Sequence, residues 1–177
     1  MIMYKLFQSK TIQNNYSHFI EDCYFAQDKF NSIFESSDST WNYHRYNVFS
    51  LTSTNMLFYK LFKELKYHIR SYIGDDRPLW IQSWLNFHSP EQILKKHGHD
   101  WPYHGYISID PKDTTTVFEQ FEIQNIPGQI YMGPGGEGYN HYVRIDKPYE
   151  GKRITIGFDV EDRKNTSSSN LGLIPLI

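Results

Sequence analysis

The stretch "GQIYMGPGGEGYNHYVRIDKPYEGKRITIGFDV", residues 128–160, decides the expected fold of the chain. It contains three short runs rich in β-branched and aromatic residues, at 128–133, 139–146 and 153–160. Gly, Pro, Glu and Lys make up nearly all of the segments between these runs. Because short β-strands bounded by turn-forming residues produce this pattern, the stretch predicts three consecutive strands.

Three further runs of the same kind lie before it, at 79–87, 103–110 and 114–123. A series of short strands separated by Pro, Gly and Asp clusters is typical of a sandwich, a barrel or a jelly roll. The region after residue 78 is therefore predicted to be mainly β.

The chain before residue 78 has a helical pattern. Apolar residues recur at offsets of three and four in 11–36 and again in 52–74, as in amphipathic helices. A Ser or Thr can cap the start of the second helix, and Gly74 ends it. The segment 41–51 could form a strand.

The 177 residues predict a single domain, 1–177, large enough to bury a hydrophobic core. We expect a helical N-terminal support (1–78), a β-rich core (79–162) and a C-terminal tail (163–177). Eighteen basic and twenty acidic residues nearly cancel, which argues against a nucleic-acid or membrane-surface partner. The single cysteine, Cys23, cannot form an intramolecular disulfide, which fits a cytoplasmic protein. No signal peptide or membrane span is expected.

Metal-ligating residues are concentrated in "KKHGHDWPYHGYISID", residues 95–110. His97 and His99 share one face if this segment is extended, and two imidazoles on one face can chelate one ion. His141, in a later predicted strand, could complete a three-ligand site. Asp100 could instead supply a carboxylate, because the usual non-heme iron set is two histidines and one carboxylate. The alternative is that these are ordinary surface histidines, as most H-x-H pairs in loops are.

Arg153 begins the apolar run "RITIGF". A guanidinium at the head of a buried strand needs an anion, and arginine binds carboxylates in a bidentate way. Thr155 lies two residues on and faces the same side, so the pair could hold a substrate or cosubstrate carboxylate. A plain salt bridge with Asp146, Asp159 or Glu161 is the alternative.

Taken together, residues 80–160 resemble the Fe(II)- and 2-oxoglutarate-dependent oxygenases, in particular a branch with a W-x-N segment before H-x-H. The matching residues are Trp84 and Asn86, then H-x-H at 97–99, "HGYISI", "GQIYMGP", His141 with Val143, and "RITIGFD". Two features depart from the family pattern. His99 stands where the family has Asp or Glu, and His104-Gly105 replaces Ser-Gly. The first 78 residues carry no matching motif.

The resemblance implies a double-stranded β-helix, that is, a cupin-like jelly roll, behind the N-terminal helices. It implies Fe(II) bound by His97, His99 and His141, with 2-oxoglutarate as cosubstrate and O2 as co-reactant. Arg153 would bind the distal carboxylate of 2-oxoglutarate, helped by Thr155, Asn86 and a tyrosine such as Tyr106 or Tyr131. The substrate side would include Trp101, Tyr103 and Tyr139.

The expected function is hydroxylation of a small molecule or a peptide side chain. Two alternatives stay open: a cupin-like metal enzyme that does not use 2-oxoglutarate, and a non-catalytic jelly roll that serves binding or structure. A homodimer is compatible with the sequence.

Overall fold

The computed structural model describes residues 4–34, 46–92, 95–162 and 172–177. The chain is mainly β, with an N-terminal group of helices. The strands are β1 (Lys5–Gln8), β2 (Trp80–His88), β3 (Tyr103–Asp110), β4 (Thr114–Phe118), β5 (Glu122–Gln124), β6 (Gln129–Pro134), β7 (His141–Ile145), β8 (Arg153–Glu161) and β9 (Ile174–Pro175). The helices are α1 (Lys10–Asn14), α2 (Tyr16–Phe34), α3 (Val48–Leu51) and α4 (Met56–Ile73), and a single 3-10 turn spans Pro90–Gln92.

Two antiparallel sheets carry the fold. The larger has the strand order β1-β6-β3-β8-β2-β9, and the smaller has the order β5-β4-β7. They face each other: the Phe118 ring of β4 packs 4.8 Å from the Tyr131 ring of β6, and Arg153 Nε of β8 donates to Thr114 Oγ1 of β4. The arrangement is that of a β-sandwich.

The larger sheet has two chemically different faces. Ile154, Ile156, Phe158 and Val160 alternate along β8 and belong to the same apolar core as helix residues Phe58, Leu61, Leu65 and Ile69. The intervening positions of β8 are Arg153, Thr155, Gly157 and Asp159, and they lie on the opposite face because side chains alternate along a strand. The polar face of the sheet is therefore turned toward the smaller sheet, where buried polar groups accumulate.

The predicted helices form, with two differences. The segment predicted as one helix over 11–36 is divided at Asn15 into α1 and α2. The second helix begins later than predicted and is capped by Asn55, whose Oδ1 accepts from the Leu57 and Phe58 amides at 2.9 and 3.1 Å, rather than by Ser or Thr. Gly74 ends it as expected, in the left-handed conformation with φ of 82°.

The prediction of a strand over 41–51 is wrong for the part that the structure describes. Residues 41–45 lie outside the described residues, and Val48–Leu51 form α3. Asn47 explains the difference, because its Oδ1 caps α3 through the Phe49 amide and its Nδ2 donates to Ile81 O at 2.9 Å and Gly172 O at 2.8 Å. One buried amide thus joins the helix, the large sheet and the C-terminal tail.

Three β elements differ from the predicted strands. The run 114–123 divides into β4 and β5, which pair as a hairpin. Strand β1 was not predicted, and it pairs with β6 at the edge of the larger sheet. The apolar tail docks on the body, since β9 pairs with the start of β2. Among the described residues, no helix combines the length and the apolar character needed to span a bilayer.

Candidate metal centre

A pair of backbone hydrogen bonds fixes the distance between the two histidine segments. His97 N donates to His141 O at 3.0 Å, and His141 N donates to His97 O at 2.8 Å. This antiparallel bridge extends the smaller sheet beyond β7. Because the two residues are directly opposed, their side chains share one face, and their ring centroids lie 4.5 Å apart.

The loop that carries His99 packs closely on the segment after β6. Gly136 N donates to His99 O at 2.8 Å, and Gly135 N donates to Pro102 O at 3.1 Å. A Cβ at Gly135 would lie 2.0 Å from Trp101 O and 2.7 Å from His99 O, closer than atoms can approach. Glycine at 135 therefore allows the backbone contact that sets the position of His99.

The structure brings His97, His99 and His141 together. One ring nitrogen from each lies within 4.8 Å of the other two. His97 Nδ1 is 2.9 Å from Lys95 O, and His141 Nδ1 is 3.1 Å from Tyr139 O. Since a protonated Nδ1 makes those contacts, Nε2 of both rings is the atom left with a free lone pair.

The electrostatics of the group favour neutral imidazoles. Burial is the main factor that lowers the pKa of His97, and it lowers the pKa of His141 to about 3, with the neighbouring histidines adding to the effect. Neutral imidazole is the form that binds a metal. At neutral pH these two rings are thus in the ligating form without having to lose a proton.

Two residues that sequence analysis did not assign to the site lie against it. Asp159 Oδ1 is 2.7 Å from His99 Nδ1, and the carboxylate is buried. The His104 ring is parallel to the His99 ring, with centroids 4.5 Å apart, and burial lowers its pKa well below the usual value. Neither ring nitrogen of His104 has a well-formed hydrogen bond, although the Pro134 carbonyl acts on its pKa. The sequence signal for His104 was the departure from Ser-Gly at 104–105.

Arg153 is buried on the same polar face, with 3% of its surface exposed. Its Nε donates to Thr114 Oγ1 at 3.3 Å, and no acidic side chain among the described residues forms an ion pair with it. Burial lowers the pKa of the guanidinium. The predicted alternative of a salt bridge is not found, because Asp146 pairs with Arg144 and Asp159 contacts His99.

The other residues predicted to bind the cosubstrate also face the interior between the sheets. Asn86 Nδ2 donates to Thr155 Oγ1 at 3.1 Å across neighbouring strands, while Asn86 Oδ1 is buried and has no hydrogen bond within the described part of the chain. Tyr106 and Tyr131 stack with centroids 5.2 Å apart, and burial raises the pKa of both phenols. The Tyr131 hydroxyl is buried without a hydrogen bond among the described residues.

The residues predicted for the substrate side are half-buried. Tyr103 packs against the apolar core on the helix side of the larger sheet, where it meets Tyr72 of α4 edge-on at 6.0 Å, so the structure does not bring it to the histidine group. Tyr139 meets Phe121 edge-on at 6.4 Å. Trp101 contributes its backbone carbonyl to the contact with Gly135. Asp100, the alternative carboxylate ligand, is exposed, and the structure does not bring it into the histidine group.

Comparison with known proteins adds no relative. No protein-family model matches the chain, and no curated protein matches it.

Proposed function

We propose that the protein is a non-heme Fe(II)- and 2-oxoglutarate-dependent dioxygenase that hydroxylates a small molecule or a peptide side chain. One observation carries the proposal. Arg153 is buried without an acidic partner among the described residues, in the interior between the two sheets toward which the three-histidine group is also turned. Burying an unpaired guanidinium costs roughly several kcal/mol of desolvation free energy, and a bound anion would offset this cost. The surroundings of Arg153 are therefore suited to a carboxylate.

The strand order supports a double-stranded β-helix as the finer description of the fold. Without β1 and β9, the larger sheet contributes the four strands β6, β3, β8 and β2. The smaller sheet contributes β5, β4 and β7, and the bridge at His97 adds a fourth segment beside β7. Two facing sets of four are the arrangement of an eight-stranded jelly roll.

The residues fit a divalent transition metal. Three imidazoles converge, and three nitrogen ligands leave coordination positions open. Nδ1 of His97 and Nδ1 of His141 each contact a backbone carbonyl, and Nδ1 of His99 lies 2.7 Å from Asp159 Oδ1, so each ring has a contact that orients it. Imidazole ligands suit iron, zinc, copper and nickel, so the ligands alone do not select iron. The choice of iron comes from the presence of a site for a diacid beside the metal.

The residues around Arg153 fit that diacid. Thr114 lies opposite Ile145 and His141 lies opposite Phe118, at the two ends of the β4–β7 pairing. Four residues of strand separate these positions, on the order of 13 Å. We propose that the Arg153 side chain and a short dicarboxylate together span this distance. Tyr131 and Asn86 offer buried polar atoms that still lack partners.

When bound, the iron and 2-oxoglutarate would supply O2 activation coupled to oxidative decarboxylation, which yields succinate and CO2 with insertion of an oxygen atom into a C–H bond. The residues of the chain perform three tasks. His97, His99 and His141 hold the metal, Arg153 fixes the far carboxylate of the cosubstrate, and the apolar rings Phe118 and Tyr131 exclude water from the interior.

An anaerobic titration tests the proposal. Fe(II) and then 2-oxoglutarate are added to protein purified without a histidine tag, and the weak visible charge-transfer band is followed before air is admitted. We expect a band that saturates with 2-oxoglutarate, and succinate after air enters. The His97→Ala variant should give neither. A wild-type protein that gives no band and no succinate contradicts the proposal.

A second candidate is a cupin-like metal enzyme that does not use 2-oxoglutarate. The all-histidine ligand group favours it, because no carboxylate lies among the three converging residues. Arg153→Ala distinguishes the two, since it should abolish 2-oxoglutarate binding in the first case and leave the activity largely intact in the second.

A further inference from the structure

Asp159 is a buried carboxylate whose acid–base partner is one of the candidate metal ligands. Only 2% of its surface is exposed, and its Oδ1 lies 2.7 Å from His99 Nδ1. This is an ion-pair contact by distance, and among the described residues no hydrogen bond of good geometry is made to this oxygen. Burying a carboxylate without a partner carries a desolvation cost. The contact with His99 offsets part of that cost for Asp159.

The larger sheet holds Asp159 in place from both sides. Asp159 pairs with His104 on β3 and with Gln82 on β2, so its backbone lies between two neighbouring strands. This pairing fixes the backbone position of Asp159 and the face of the sheet on which its side chain lies. Gln82 is itself anchored, because its Nε2 donates to Tyr46 O at 2.7 Å. The sheet therefore holds the carboxylate in a fixed position, whereas His99 belongs to a loop.

His99 is confined on its ring faces as well. The His104 ring is stacked on it at 4.5 Å with planes 6° apart, and the Trp84 ring is nearly parallel to it at 6.2 Å. The contact with Asp159 fixes the rotation of the His99 ring, and this rotation decides which ring nitrogen faces the other two histidines. With Nδ1 directed to the carboxylate, Nε2 is left for the metal.

We propose that Asp159 is the positioning residue of the metal centre, which orients His99 and supplies, through that ring, the negative charge that a directly bound carboxylate would otherwise bring. The inference rests on the proposed metal site. His99 stands where the resembling oxygenases have an acidic ligand, and Asp159 places the acid one ring farther from the metal. Carboxylates that bond a ligating histidine orient it and raise its basicity.

The test compares Asp159→Asn with wild type. Cobalt(II) serves as the probe, its affinity is measured by competition with a chromophoric chelator, and its visible spectrum is recorded at saturation. We expect a loss of affinity of about 10–100-fold with a changed spectrum, as for other partners of ligating histidines. Asp162→Asn, a matched change at a part-exposed residue paired with Arg77, should leave both unchanged.

The outcomes separate this inference from the proposed function. If wild type binds no cobalt(II), the metal centre itself is overturned, and the role of Asp159 with it. If wild type binds and folded Asp159→Asn binds within threefold with the same spectrum, only the role of Asp159 is overturned.

A second measurement does not depend on the folding of a variant. The tautomer of His99 in the unmodified, metal-free protein is read from the 15N shifts of its ring. We expect a proton on Nδ1 and none on Nε2. A proton on Nε2 instead would overturn the proposal.

Discussion

At the scale of single residues, the main feature is that two buried side chains of opposite charge, Arg153 and Asp159, lie on the same face of strand β8. Arg153 and Asp159 are six positions apart, roughly 20 Å along the strand. Asp159 contacts His99, whereas Arg153 has no acidic partner among the described residues. Burying either charge in an apolar core would be costly, so we interpret both residues as parts of a polar site.

Replacing Arg153 by Met tests its role directly. Loss of one partner of a buried charge pair costs about 2–5 kcal/mol, so 2-oxoglutarate binding to the metal-loaded protein should weaken at least about 30-fold. The thermal stability of the free protein should not fall, because an unpaired buried charge is removed. Calorimetric titration and thermal melts measure the two effects.

Arg144→Met is the matched control, because that arginine is exposed and paired with Glu122 and Asp146. It should bind 2-oxoglutarate as wild type does. Unchanged binding in Arg153→Met would show that the guanidinium does not hold the cosubstrate.

Cys23 gives a pH-dependent prediction at the same scale. Burial in α2 raises the pKa of its thiol well above 9.0, so the native protein holds almost no thiolate at pH 8 to 9, while the unfolded chain titrates normally. Alkylation by iodoacetamide at pH 8.5 should therefore be at least about 100-fold slower in the native protein than in urea. Comparable rates would mean that α2 does not bury Cys23 against the core.

At the scale of elements, the close contact between the His99 loop and the segment after β6 positions the third ligand. Gly135→Ala would push the backbone at Trp101 and His99 away from residue 135, because the new methyl group has no room beside their carbonyl oxygens. We expect cobalt(II) affinity to fall by about tenfold or more, as when other groups that orient a ligand are removed.

Gly151→Ala is the control for Gly135→Ala. Its Cβ would meet open space and it lies outside the His99 contact, so it should cost stability through its φ of 77°, about 1–2 kcal/mol, without displacing His99. Equal metal affinity in both variants would contradict the role of the contact.

The elements also show what sequence reasoning could and could not predict. The H-x-H spacing predicted that His97 and His99 share one face, because that depends on local backbone geometry. Their convergence with His141 was expected from the family resemblance, since it depends on the bridge between His97 and His141, which no local pattern encodes. The Asp159–His99 contact depends on the register between distant strands, which no local pattern encodes. Residues 48–51 end a run of strand-forming composition, yet they form α3, because the capping contacts of Asn47 outweigh that propensity.

At the scale of the whole molecule, the helices form an apolar support for the sheet whose other face holds the site. Leu65 of α4 is fully buried in that core. Leu65→Ala should lower the free energy of unfolding by about 2–5 kcal/mol, measured by urea denaturation. Leu51→Ala, at a position 46% exposed, should cost much less. Equal effects would mean that α4 does not pack on the sheet as described.

The account depends most on one property of the whole molecule, namely that three distant histidines bind a single metal ion. The decisive measurement is the iron content per chain of untagged protein after anaerobic reconstitution and gel filtration. We expect about one Fe(II) per chain in wild type and in His18→Ala, an exposed histidine of α2, and almost none in His97→Ala/His141→Ala. Wild-type protein without bound iron, or the same iron content in the double variant, would contradict it.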